Sequence, residues 1–175
     1  TPLYSSAASD VYKRQVNVSK VYDGNAAAQA TVLVANKVGA DDVTVQGVGS
    51  YTDNKNVGSA HTYSLSAQLA GAASGNYYLG STTLTGSDGV ITPAALTVSG
   101  ITAANKTYDG TTAATVIVAG VVKTGLIVGE DVTVSSTGVF ANKNAANGKT
   151  VNLTNIYGGA DAGNYSIADQ STATA

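Results

Sequence analysis

The chain has 175 residues, enough for one ordinary domain or two small ones. Charged residues make up 11% and the net charge is −2, so there is no electrostatic footprint for nucleic acid or for an anionic membrane surface. The absence of Cys excludes disulfides and thiolate metal sites, and no apolar run approaches the about 20 residues of a membrane-spanning helix.

Val, Ala, Thr, Ser, Asn and Gly dominate instead. Val and Thr are β-branched and favour strands, and the 20 glycines supply turns. Such a composition suits a β-rich exported protein better than a cytosolic enzyme.

Residues 1–15, TPLYSSAASDVYKRQ, lack the long apolar region of a secretory signal. The stretch SSAASDVYKRQ resembles translated adapter sequence, so 1–15 is taken as a non-native segment and set aside. KVYDG at 20–24 follows, where Asp23-Gly24 is a two-residue turn signal: Gly takes positive φ freely and Asp tolerates it. The motif is expected to run strand, turn, strand, with Lys20 and Tyr22 sharing a face.

ATVLVA at 30–35 is a short apolar run expected to be a buried strand, with a short helix as the alternative because 26–30 is Ala-rich. Asp41-Asp42 then precede a strand that places Val43 and Val45 on one face. Tyr51 and an Asn54-Lys55-Asn56 turn come next. HTYSLSAQL at 61–69 alternates, with Tyr63, Leu65, Ala67 and Leu69 pointing inward. Gly75-Asn76-Tyr77 predicts a sharp turn whose Tyr starts a strand, ring in the core and hydroxyl bonded to backbone.

The same order of landmarks then recurs. KTYDG brings Lys106, Tyr108, Asp109 and Gly110, and ATVIVA stands at 114–119. Glu130-Asp131 lead into Val132 and Val134, Phe140 takes the place of Tyr51, and Asn142-Lys143-Asn144 repeats the earlier turn. In KTVNLTNIY, Val151 and Leu153 point inward, and Gly163-Asn164-Tyr165 closes the set. Corresponding landmarks lie 86 to 89 residues apart, so each copy is one module.

Pro93, which lacks an N–H and holds its predecessor extended, serves as the joint, and Leu96, Thr97 and Val98 open the second module as a strand. The expected division is therefore 1–15 non-native, 16–92 module 1 without its opening strand, and 93–175 module 2. Both ends look cut, as a window on a longer array would. The expected fold is all-β: two tandem small antiparallel modules, sandwich-like or β-grasp-like, with little or no helix.

KxYDGT followed by Ala-Thr, then GxDVT, an NKN turn, GNY and ITP resembles the YDG-type repeat of large Gram-negative exoproteins, a group that includes filamentous-haemagglutinin-like surface adhesins. The likeness covers 16–175, with Asn25-Ala26 standing where the family usually has Thr-Thr. It implies a cell-surface or secreted stalk and no reaction. The structural-motif residues are Lys20, Tyr22, Asp23, Gly24, Gly75, Asn76 and Tyr77, with Lys106, Tyr108, Asp109, Gly110, Gly163, Asn164 and Tyr165 in the second copy.

The residues themselves point away from catalysis. The one His, His61, aligns with Lys149 and is read as an exposed residue on the polar face of a strand. The acid pairs Asp41-Asp42 and Glu130-Asp131 point to opposite faces of a strand, poor geometry for shared acid–base work, and are read as turn caps. No calcium-loop spacing surrounds them. A Lys-to-Asn cross-link, Lys20 to Asn76 beside Asp23 or Lys106 to Asn164 beside Asp109, is the one covalent alternative. No catalytic residue, cofactor or metal is expected, and the partners expected are neighbouring repeats of the same chain. The leading expectation is a mechanical spacer outside the cell. The alternative is a glycan- or host-protein-binding module, for which Tyr77-Tyr78 is the candidate aromatic cluster, with Ser166 replacing Tyr78 in the second copy.

Overall fold

The computed structural model describes residues 18–34 and 37–175, so the segment read as non-native lies outside the described residues. The described chain is all-β and falls into two compact units that meet in sequence between Thr92 and Pro93.

Unit 1 is one five-stranded sheet. Its strands are β1 (Ser19–Val21), β2 (Ala27–Leu33), β3 (Thr44–Tyr51), β4 (Gly58–Ala70) and β5 (Thr83–Thr92), ordered β1-β5-β4-β3-β2. All pairings are antiparallel except β1 with β5, which run parallel with Ser19 opposite Val90, Lys20 opposite Ile91 and Val21 opposite Thr92. The Ala-rich start of β2 is strand, not helix: its alanines pair along β3, from Ala27 opposite Ser50 onward.

Alternation works as expected on β4, where Tyr63, Leu65 and Ala67 are buried while Thr62, Ser64 and Ser66 face out. Val43 and Val45 join them in the core. On β3 the positions opposite Ala67 and Leu65 are glycines, Gly47 and Gly49. A Cβ at Gly47 would meet the Leu65 Cδ1 at 3.0 Å, and one at Gly49 would sit 2.1 Å from the Ser64 carbonyl oxygen. Two glycines thus let the Leu65 side chain and the β4 backbone press onto β3.

Unit 2 splits its strands between sheets. β6 (Ala94–Ser99) lies between β10 (Val122–Thr124) and β13 (Tyr165–Ala168), antiparallel to the first and parallel to the second. A four-stranded sheet has the order β14 (Thr172–Thr174), β12 (Thr150–Gly158), β11 (Thr133–Phe140), β8 (Ala113–Ala114). β7 (Thr102–Ala103) pairs with β9 (Val116–Ile117). Leu96 and Val98 from β6 and Val151 from β12 are the deepest side chains, with Ile101 and Val132. Gln170 clamps Ile101 by both backbone groups: its Oε1 accepts from the Ile101 N–H at 3.0 Å and its Nε2 donates to the Ile101 carbonyl at 2.7 Å.

Two expectations fail in unit 2. ATVIVA is not one buried strand, because its residues divide between β8 and β9 in different sheets and leave Ile117 and Val118 exposed. KTYDG does not begin as a strand either, since residues 104–109 form none. In unit 1 the same segment is a strand because β5 lies along it and accepts its hydrogen bonds, including the Tyr22 N–H to the Thr92 carbonyl at 2.8 Å.

Candidate functional site

The polar residues of the motif gather at two opposite ends of each sheet. At one end stands the Asp-Gly turn, with Gly24 at φ 80° and Gly110 at φ 78°, the left-handed region that favours Gly. The lysine two residues before the Tyr folds back over this turn. The Lys20 ammonium donates to Asp23 Oδ1 at 2.6 Å, to the Asn25 carbonyl at 2.7 Å and to Asn25 Oδ1 at 3.0 Å. Lys106 sits 2.8 Å from Asp109 Oδ1 and donates to Thr111 Oγ1 at 2.7 Å, the Ala113 carbonyl at 3.0 Å and the Thr111 carbonyl at 3.3 Å. Each turn therefore surrounds a cation with oxygens, and the cation is the lysine head. The ammonium groups stand over aromatic rings, Tyr51 and Phe140, each Nζ 6.0 Å from the ring centroid.

At the other end the acid pairs divide their work. The first acid takes the phenol of the GNY tyrosine: Tyr77 donates to Asp41 Oδ2 at 2.8 Å, and Tyr165 to Glu130 Oε2 at 2.7 Å. The same phenol oxygens accept backbone N–H groups, from Val38 at 2.8 Å and from Ile127 at 3.1 Å. The second acid holds the loop after the long strand, Asp42 Oδ2 accepting from the Ala72 N–H at 3.1 Å and Asp131 Oδ2 from the Ala160 N–H at 3.2 Å. That loop turns on Gly71 and Gly159, at φ 102° and 98°, where a Cβ would lie 2.4 Å from the Asp42 or Asp131 carbonyl oxygen. Gly75 and Gly163, singled out from the sequence, have open space around them and no positive φ. The 88-residue spacing of Gly71 and Gly159 was a signal for the glycines that matter.

A family model for the YDG domain matches residues 10–85 and 92–174. The chain belongs to the YDG domain family. No curated protein and no solved structure matches it.

Within each YDG domain, β3 or β11 separates the two polar ends. Lys20 stands over Tyr51 at one end of the eight-residue β3, while Asn76 belongs to a 3-10 turn tied to Asp42 at the other. At about 3.3 Å per residue the two lie roughly 20 Å apart, beyond the reach of a Lys–Asn bond. Lys106 and Asn164 are separated in the same way along β11.

The reading of His61 as exposed is overturned: it is only 5% exposed. It lies two residues before Tyr63 and so shares the inward face, although β4 changes register around it and Ala60 takes φ 66°, the mark of a bulge. Its Nδ1 meets Asp53 Oδ2 at 2.8 Å, its ring stands edge-on to Tyr51 at 5.5 Å, and its Nε2 is buried with no hydrogen-bond partner among the described residues. Burial works to raise the Asp53 carboxyl, but hydrogen bonds from His61 and from backbone amides leave it below the ordinary range. In the second YDG domain Lys149 does the same job, donating to Asn142 Oδ1 at 2.5 Å and to the Asn144 carbonyl at 2.6 Å. His61 and Lys149 are thus equivalent pins for the NKN loop. The described residues hold no group of three or more His, Asp or Glu arranged for a metal. No helix among the described residues is long and apolar enough to cross a membrane.

The turn cations make a pH prediction. Hydrogen bonding from Lys106, then from the Thr111 backbone and hydroxyl, holds Asp109 down at about 2. A carboxyl lowered on folding stabilises above its unfolded value, about 3.9, and loses that contribution as pH falls toward the folded value. The Thr111 amide, which donates to Asp109 Oδ1 at 2.8 Å, is therefore expected to titrate in NMR spectra with a midpoint near pH 2, and D109N is expected to abolish the transition. A midpoint at the ordinary 3.9 would contradict the lysine cradle.

Proposed function

We propose that the two YDG domains are structural spacers in a large bacterial surface or secreted adhesin of the filamentous-haemagglutinin-like kind, placed outside the cell. The observation that carries this reading is the parallel pairing of β1 with β5 in the first domain. Tension applied through the chain enters at the start of β1 and leaves at the end of β5. The two strands are then pulled in opposite senses along their length, and their ladder is sheared as a whole instead of peeled one bond at a time. The ladder is extended at both ends by the Val90 N–H to the Val18 carbonyl at 2.9 Å and the Tyr22 N–H to the Thr92 carbonyl at 2.8 Å. The motif's charged side chains support the same reading, because they are engaged in holding turns and loops of their own domain.

Pulled from its two ends in a force microscope, the chain is expected to unfold in two events, each releasing roughly 25–30 nm for a module of this size. V90P removes one rung facing β1 and is expected to lower the rupture force of one event. A single event, or a force indifferent to V90P, would count against the spacer reading. The competing reading, a glycan- or host-protein-binding module, is favoured by Tyr78, which is 56% exposed. Saturable binding on a glycan or host-protein array that disappears in Y78A would establish it instead.

A further inference from the structure

The two domains pin the same loop with different chemistry. In the second domain the pin is the ammonium of Lys149, held between two neutral acceptors, Asn142 Oδ1 and the Asn144 carbonyl. In the first domain it is His61, and histidine is the side chain that gains a charge in mild acid. Asp53 only accepts, so its contact with Nδ1 at 2.8 Å fixes a proton on that nitrogen and leaves Nε2 as a lone pair. Nε2 is buried with no hydrogen-bond partner among the described residues. The backbone of Gly58 closes over it so tightly that a Cβ there would lie 2.9 Å away.

The next proton taken up by His61 must go to Nε2. A lone pair tolerates a dry site, but a charged N–H without an acceptor forfeits its hydration. Asp53 attracts the imidazolium through Nδ1. Its side chain is 35% exposed and that of His61 only 6%, so water screens the attraction while the new N–H stays dry. The other ionisable groups around the ring have partners of their own. Tyr51 is bonded to the Val18 and Val90 carbonyls, and Lys20 beyond it is paired with Asp23. Lys55 of the loop stands over the Tyr22 ring at 5.9 Å, and Asp88, next to Gly89 on β5, holds the Tyr63 phenol.

The hinge of the loop is strained as well. Ala60 takes φ 66°, and its counterpart 88 positions on is Gly148 at φ 64°. The same backbone shape is free in the second domain and costs a Cβ clash in the first.

We propose that the His61–Asp53 contact is an acid-released latch. Protonation of His61 lifts residues 52–58 off the imidazole, lets water reach Nε2 and withdraws Lys55 from the Tyr22 ring; neutralisation closes the loop again. The Lys149 pin already holds its charge between two acceptors, so the second domain stays closed over the same range. The latch goes beyond the spacer reading and does not rest on it, so either can fail alone.

The test is an NMR titration of the isotope-labelled full chain from about pH 8 to about pH 4. Ring nitrogen shifts report the His61 proton, and the contact between the His61 and Tyr51 rings, 5.5 Å apart, reports closure. The expected result is one reversible step in which the His61 ring and the amides of 52–58 move together and the ring contact is lost. The amides of Leu65 and Ala67 in the core, and those of the 142–148 loop, are expected to stay still. H61K is expected to abolish the step, and A60G, by relaxing the hinge, to move its midpoint at least about half a unit toward acid. Should H61K not fold, the titration of the unaltered chain decides alone. Loop amides that stay still while the ring titrates, loop amides that move without the ring, core amides that move with the loop, a step retained in H61K, or a midpoint unmoved in A60G would each overturn the latch.

Discussion

Replacing Tyr22 by Ala is expected to destabilise the first domain by about 3–5 kcal/mol, while the same change at Tyr108 is expected to destabilise the second by less than about 1 kcal/mol. The residue, the motif and the turn are shared. The difference is burial: Tyr22 is 3% exposed with its N–H bonded to the Thr92 carbonyl of β5, whereas Tyr108 is 60% exposed. Y22A removes a buried ring from a small core that cannot fully collapse around the cavity, and it leaves the Lys20 cradle on a loosened strand. Amide exchange resolved by residue, combined with urea unfolding, reads the two domains separately. Equal losses at the two sites would mean that Tyr22 and Tyr108 are buried alike in solution.

The second large effect belongs to a residue with no side chain. G49A is expected to destabilise the first domain by about 3 kcal/mol, because overpacking against an immovable neighbour forces the backbone to shift. The neighbour here is backbone: the new Cβ would meet the Ser64 carbonyl oxygen at 2.1 Å and the Leu65 Cα at 2.8 Å, and neither can rotate away. G163A, in the conspicuous GNY motif, is the control. It has open space around it and no positive φ, so its effect is expected to stay within about 0.5 kcal/mol. If G163A proved the more damaging of the pair, the registry of β3 on β4 would be wrong.

That contrast explains which parts of the fold were legible from the residues. Alternation is a local property, and it correctly placed Tyr63, Leu65, Ala67, Val43, Val45 and Val151 in the core. The Asp-Gly turns were legible for the same reason, since a two-residue signal carries its own backbone preference. His61 was misplaced although its parity with Tyr63 was available; its alignment with the polar Lys149 masked a position that two chemically different side chains fill for one purpose.

What the residues did not disclose was non-local. Nothing near Tyr22 says which strand will lie beside it, because the Thr92 carbonyl that accepts its N–H comes from about 70 positions away. The partners of Asp41, Asp42, Glu130 and Asp131 lie roughly 30 positions downstream, so the acids were recognisable as caps without any view of what they hold. ATVIVA was misjudged because an apolar run records a preference for burial and not which sheet will take it.

The lysine cradles carry a consequence for where such a domain can work. Many extracellular modules stiffen a loop by borrowing a divalent ion from their surroundings, and they soften when that ion is diluted or chelated. Here the positive centre of the turn is tethered by its own butyl stem and arrives with the polypeptide. A chelator therefore cannot withdraw the positive centre of either turn, whereas rising ionic strength weakens it, because the Asp partners are half exposed and their pairing is screened by salt.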